Sequence, residues 1–236
     1  MERIKVRRND IHISRNPIER FLMRVKDFCK AHRKIVLGSI IGVLATGAVA
    51  VVLYVYFDSR NASLLTEYET IMDEYRQTIG NKDADSTPIV EKLSQLKDKA
   101  SFGSVYRSCL FAIGNICYSQ KKFTEAEEAM ATLADETSSD LYGPMALLTA
   151  AAAAEELGNT DKAMEFLRKA ENDYGTGVFA DRIIYGLGRV SSIKGDTASA
   201  KAYYSRVITD YPASALADAA KKRLFLVKAN LNGQSK

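Results

Sequence analysis

VFADRIIYGLGRVSSIKGDTASAKAYYSRVITDYPAS, Val178–Ser214, is the stretch that decides the fold. It reads as a helix over roughly 178–194, a tight turn at Gly195 and a second helix over roughly 197–210, stopped by Asp210-Tyr211-Pro212. The pattern recurs at a step of 37 residues. Ala200 is preceded by Ala163 and Ala126, and Gly188 by the small residues Ala151 and Gly114. Tyr204 is preceded by the large Leu167 and Met130, and Val207 by the apolar Ala170 and Leu133. Gly195 and Gly158 fall at turns, and Lys121 stands in the same column, breaking its chemistry. The spacing predicts three helical hairpins: 103–120 with 123–135, 140–157 with 160–173, and 178–194 with 197–210.

A single hairpin cannot bury its apolar face, so about three must stack, giving an all-α helical-hairpin solenoid. Small residues let paired helices approach closely, and the large column is expected to fill the gap between neighbouring hairpins. Ala217, Ala220, Leu224, Val227 and Leu231 mark a final capping helix, with Lys221, Lys222, Arg223 and Lys228 as its polar outer surface. Ahead of the repeats, Thr87-Pro88 opens a short helix with Ile89, Val90, Leu93 and Leu96 facing inward. The stripe Leu64, Leu65, Tyr68, Ile71, Met72, Tyr75 and Ile79 is expected to pack on the domain that follows, with Gly80 as C-cap and 81–86 as a polar loop.

Further upstream, Ile35–Phe57 is 23 residues without a charge. A helix of that length covers roughly 34 Å, enough to cross a bilayer core. The apolar run is too long, and begins too far into the chain, for a signal peptide, so the span is expected to persist as an anchor. Residues 1–34 carry eleven Lys/Arg against four acids, a net +7, and the remainder a net −3. The basic flank predicts a cytoplasmic N-terminus and an extracytoplasmic domain. Asn16, Pro17 and Glu19 open an amphipathic basic helix, with Ile18, Phe21, Leu22, Val25, Phe28 and Cys29 on one face, suited to an anionic leaflet. Continuation of the membrane helix into the cytoplasm is the alternative there. Because the positive excess lies in the tail, the sequence pI of about 8.8 does not argue for nucleic acid. The chain thus divides into a basic cytoplasmic tail (1–34), a transmembrane helix (35–57), membrane-proximal helices (58–100), and repeats with a capping helix (101–236).

Gly188, Gly195, Ala200, Tyr204 and Pro212 resemble the tetratricopeptide pattern of small residue, turn glycine, alanine, aromatic and proline. Gly158 and Ala163 match it in the second unit, and Gly114, Phe123 and Ala126 in the first. The step of 37 exceeds the family's repeat of about 34 residues. The layout of tail, span and tetratricopeptide domain is similar to bacterial YfgM-type proteins. That resemblance implies an inner-membrane protein with a periplasmic interaction domain, accessory to the Sec translocon or to periplasmic chaperones. Tyr211-Pro212-x-Ser214-x-x-Ala217 is equally similar to repeats of Tol-Pal coordinators and outer-membrane assembly lipoproteins. A scaffold of another envelope complex (Tol-Pal, division, secretion or flagellar machinery) is therefore the alternative, and an anchored enzyme the third.

Catalytic chemistry finds little support. Both histidines, His12 and His32, lie in the tail, and no phosphate loop, GxSxG or HExxH motif occurs. Glu127-Glu128 and Glu155-Glu156 are adjacent on helices, about 100° apart. Cys109 and Cys117 lie eight residues apart on one helix, roughly 12 Å, beyond disulfide reach. No catalytic residue, cofactor or metal ligand is assigned, and the expected partners are proteins, with the membrane held by 35–57 and the 17–33 helix. The tetratricopeptide resemblance implies a concave groove lined by the first helices: Asn115, Tyr118 and Ser119; Leu148, Ala152 and Glu155; Arg182, Tyr185 and Arg189. Asn115 and Arg182 sit at carboxylate-clamp-like positions, but Phe111, Thr149 and Gly186 replace the other members.

Overall fold

The structure, a computed structural model, describes residues 17–79, 85–139 and 141–234. Among them it contains ten helices and no strand: α1 (Pro17–Ala31), α2 (Arg33–Thr78), α3 (Thr87–Ala100), α4 (Gly103–Ser119), α5 (Phe123–Asp135), α6 (Tyr142–Glu156), α7 (Thr160–Tyr174), α8 (Ala180–Ile193), α9 (Thr197–Asp210) and α10 (Ala217–Gln234). The leader 1–16 and the Gly80 cap lie outside the described residues, as does most of the 81–86 loop. The chain forms two compact units, Met1–Ser59 and Arg60–Lys236.

In the first unit, α1 ends at Ala31 and α2 begins at Arg33, so the two are separate helices. The α1 face of Ile18, Phe21, Leu22, Val25 and Phe28 is exposed. Arg33–Val52 is long and apolar enough to cross a membrane, and none of it is buried. Its few polar groups are folded back on the helix: Ser39 Oγ donates to the Ile35 carbonyl at 2.9 Å, and Thr46 Oγ1 to that of Gly42 at 3.0 Å.

In the second unit the hairpins fall where the 37-residue step places them. Lys121, Gly158 and Gly195 all take the left-handed conformation, with φ of 61°, 76° and 78°. The hydrogen bonds repeat with them. The N–H groups of Lys122, Asn159 and Asp196 reach back to the carbonyls of Cys117, Ala154 and Ser191 at 2.8–2.9 Å, the wide bond of a Schellman turn. The lysine breaks the column in side-chain type only.

The small and large columns meet as well, partly in an unexpected way. A Cβ on Gly114 would lie 2.6 Å from Met130 Cγ, and one on Gly188 2.9 Å from Tyr204 Cε1. Met130 and Tyr204 fill the glycine hollow of their own hairpin, and Tyr204 also shares a core with Ala220 and Val227 of α10. Leu167 reaches across to the next hairpin, its Cδ2 lying 2.8 Å from where a Gly186 Cβ would stand. The reason is steric: glycine removes the first methyl of a facing helix, and the bulkiest partner takes that room.

One core runs from Ile71 through Leu93, Leu96, Ile116, Leu133, Leu147 and Leu167 to Val190. A second gathers Ile184, Ala200, Tyr204, Val207, Ala220 and Val227 between α8, α9 and α10. Leu64, Tyr68, Met72 and Tyr75 pack against the first core, as the stripe implied. Ion pairs about one repeat apart join successive hairpins: Lys162–Glu127, Lys169–Asp135, Lys194–Asp161 and Arg206–Glu171. Lys169–Asp135, Lys194–Asp161 and Arg206–Glu171 are largely exposed pairs, which contribute about 0–1 kcal/mol each, whereas Glu127 is buried. The outer surface of α10 is not wholly polar as expected, because Phe225 is 71% exposed and Leu226 stands beside it.

Candidate functional site

The first helices of the hairpins, α4, α6 and α8, lie side by side and form a groove of about 440 Å³. Small residues, Ala151, Ala152 and Gly186, leave room between its larger side chains. Asn115, Tyr118, Leu148, Ala152, Arg182, Tyr185 and Arg189 all line this groove. Two residues assigned to it from sequence do not. Ser119 is exposed, with its hydroxyl bonded to the Ile116 carbonyl at 2.7 Å. Glu155 lies beneath Arg189, its side chain only 7% exposed. The groove also takes in Thr149, Ala151, Leu167, Gly186 and Leu216. Thr149 and Gly186 occupy clamp-like positions that sequence could flag. Leu167 is visible only because Gly186 bares it, and Leu216 arrives from the connection after α9.

Arg182 is exposed at the groove and has no carboxylate partner among the described residues. Its guanidinium stands 5.5 Å from the Phe179 ring centroid. Neighbouring Asp181 is already engaged, accepting the Arg182 N–H at 2.8 Å and the Ser214 hydroxyl. Asn115 donates one amide hydrogen to the Phe111 carbonyl at 2.8 Å. Tyr185 is half-buried, its ring tilted on Tyr204 at 5.7 Å between centroids. Tyr118 is half-buried against Phe123, edge to face at 5.5 Å, and burial, with Glu156 nearby, pushes its hydroxyl above the usual range. The groove therefore offers one free guanidinium, a second in an ion pair, two aromatic rings and an apolar floor.

Beneath it the polar groups are poorly satisfied. Arg189 Nη1 is 2.8 Å from Glu155 Oε2, but its N–H is not directed at that oxygen, so the contact is an ion pair without a hydrogen bond. Both Glu155 oxygens and the Tyr204 hydroxyl are buried without a hydrogen-bond partner. Burial pushes the Glu155 carboxyl above its usual range against the pull of Arg189, and Glu156 adds in the same direction. The unfolded chain binds fewer protons there, so the folded state gains from this group as pH falls through the raised range and loses as pH rises.

Cys109 and Cys117 are buried and free, and burial pushes the Cys109 thiol up to about 12, which keeps it protonated and unreactive. Among the described residues no three His, Cys, Asp or Glu side chains gather as a metal site would.

A comparison with curated proteins returns no match. Residues 145–176 and 184–214 each match the tetratricopeptide repeat family. Those segments fall on the α6–α7 and α8–α9 hairpins and contain Leu148, Ala152, Tyr185 and Arg189 of the groove, while Asn115, Tyr118 and Arg182 lie outside them; tetratricopeptide repeats mark a protein-interaction module.

Proposed function

We propose that this protein is a membrane-anchored docking module whose groove holds an extended, acidic segment of a partner protein. The reading is carried by Arg182, an exposed guanidinium without a carboxylate partner among the described residues, set in a groove with Tyr185 and Arg189. Arg182 and Arg189 supply charge-assisted bonds to carboxylates, and Tyr185 stacks beside them. The apolar helix supports anchoring, and the +7 tail supports a cytoplasmic N-terminus with the repeats in the periplasm. The similarity in layout to YfgM-type proteins supports an accessory role at the Sec translocon or with periplasmic chaperones.

The test is photocrosslinking from Leu148 in intact membranes, with identification of the captured protein. Translocon or chaperone subunits are expected; division, Tol-Pal or secretion subunits would overturn the translocon assignment. Arg182→Glu should lower recovery about tenfold or more, a loss above roughly 1.4 kcal/mol. Stability to unfolding should fall by no more than about 1 kcal/mol, because the substitution removes the contact with the Phe179 ring but breaks no ion pair. Unchanged recovery would overturn the groove reading. Arg189→Glu is unsuitable, since it would set a second acid against buried Glu155.

A further inference from the structure

Glu155 lies on α6, three and four residues beyond Ala152 and Ala151, which line the groove. Its carboxylate is closed off from water and, among the described residues, has no hydrogen-bond donor and one ion-pair partner, Arg189. Arg189 also lines the groove, with its side chain 39% exposed. One guanidinium thus faces both a buried acid below and any carboxylate arriving from above. A buried carboxylate stripped of its only cation is costly, and such a group neutralises by taking a proton.

We infer that an acidic segment entering the groove draws Arg189 away from Glu155, and that Glu155 takes up one proton as the segment binds. This rests on the reading of the groove as a site for acidic segments. The charges balance: the incoming carboxylate replaces Glu155 as the partner of Arg189, and the proton comes from solvent. The groups facing Glu155 are Arg189 from α8, Tyr118 from α4, Tyr204 from α9, and Glu156 on its own helix. No charged group of α5 or α7 acts on it among the described residues. Burial holds both tyrosines above their usual range, so they are neutral at physiological pH, and Arg189 is the one group favouring the ionised acid. The carboxyl already stands above the ordinary range with Arg189 in place. Losing Arg189 raises it further, so binding tightens as pH falls, while aspartates of the segment stay ionised down to about 3.9.

The experiment is calorimetric titration of the full chain in detergent micelles with a blocked hexapeptide carrying two aspartates three residues apart. With the three-residue turn of a polyproline II backbone they share one side about 9 Å apart, against a rise of about 10.5 Å from Arg182 to Arg189 along α8. Runs at pH 7.5 and 5.5, each in two buffers of different ionisation enthalpy, count the protons taken up. Binding should be about three- to tenfold tighter at pH 5.5, tenfold being the gain from one pKa unit, with net proton uptake. Glu155→Gln should bind tightly at both pH values and take up none. Binding without proton uptake, or a pH dependence that survives Glu155→Gln, overturns the linkage and leaves the acidic groove standing. No binding at either pH, or equal binding of the asparagine counterpart, overturns the groove reading and the linkage with it.

Discussion

The α4–α5 hairpin turns through Lys121 at φ 61° and enters its second helix at Lys122, which gives no side-chain cap. The α8–α9 hairpin turns through Gly195 at 78° and enters at Asp196, whose carboxylate accepts the Ser199 N–H at 3.0 Å. The Ser199 hydroxyl first, and then that N–H, hold the Asp196 carboxyl below its usual range. The wide bond that closes each turn is the same, but of these two hairpins the family match falls on α8–α9 and not on α4–α5. The turn backbone is therefore reached both with glycine and a capping aspartate and without them. In the α4–α5 hairpin the turn rests on packing: Cys109, Leu110, Ile113, Ile116, Cys117, Met130 and Leu133 are all buried.

If packing substitutes for turn chemistry, the two hairpins should respond differently to the same change. The largest effect is expected at the big residue in each glycine hollow. Tyr204→Ala should cost about 3–5 kcal/mol and Met130→Ala about 2–4 kcal/mol, by urea denaturation of the full chain in detergent. A Met130→Ala cost below about 1 kcal/mol would remove packing as the support of the α4–α5 hairpin.

The glycines themselves come next. Gly188→Ala drives a methyl into a rigid ring, with Tyr203 Cβ a further 3.3 Å away, so a loss of about 2–3 kcal/mol is expected. Gly114→Ala meets Met130, whose three rotatable bonds let it move aside, at about 1–2 kcal/mol. The reverse order would show that Met130 is the more rigidly held of the two.

The smallest effect should lie at the turns and differ in sign. Lys121→Gly removes a side chain from the left-handed region and should stabilise by about 1 kcal/mol, whereas Gly195→Ala should destabilise by about as much. Melting temperatures of the two variants check this directly. A destabilising Lys121→Gly would mean that the lysine side chain holds the turn through contacts of its own.

Much of this architecture was legible because it rests on local rules. Step, hairpin limits and turn positions follow from short-range periodicity and capping, and Ala126, Ala163 and Ala200, which revealed the step, are all fully buried. The apolar run 35–57 and the charge of the tail are likewise properties of the sequence alone. The tetratricopeptide resemblance, laid on that register, implied nine groove residues, and seven of them line a common surface.

What sequence could not supply depends on partners far apart in the chain. Glu155 and Arg189 are 34 residues apart, and their contact turns an expected groove side chain into a buried acid. Leu167 enters the groove floor only where Gly186 makes room, and Leu216 only because the chain folds back after α9. Periodicity fixes which way a side chain points from its own helix. Whether that side chain ends in water, in a groove or beneath a guanidinium is decided by the neighbouring helix, and so by the tertiary structure.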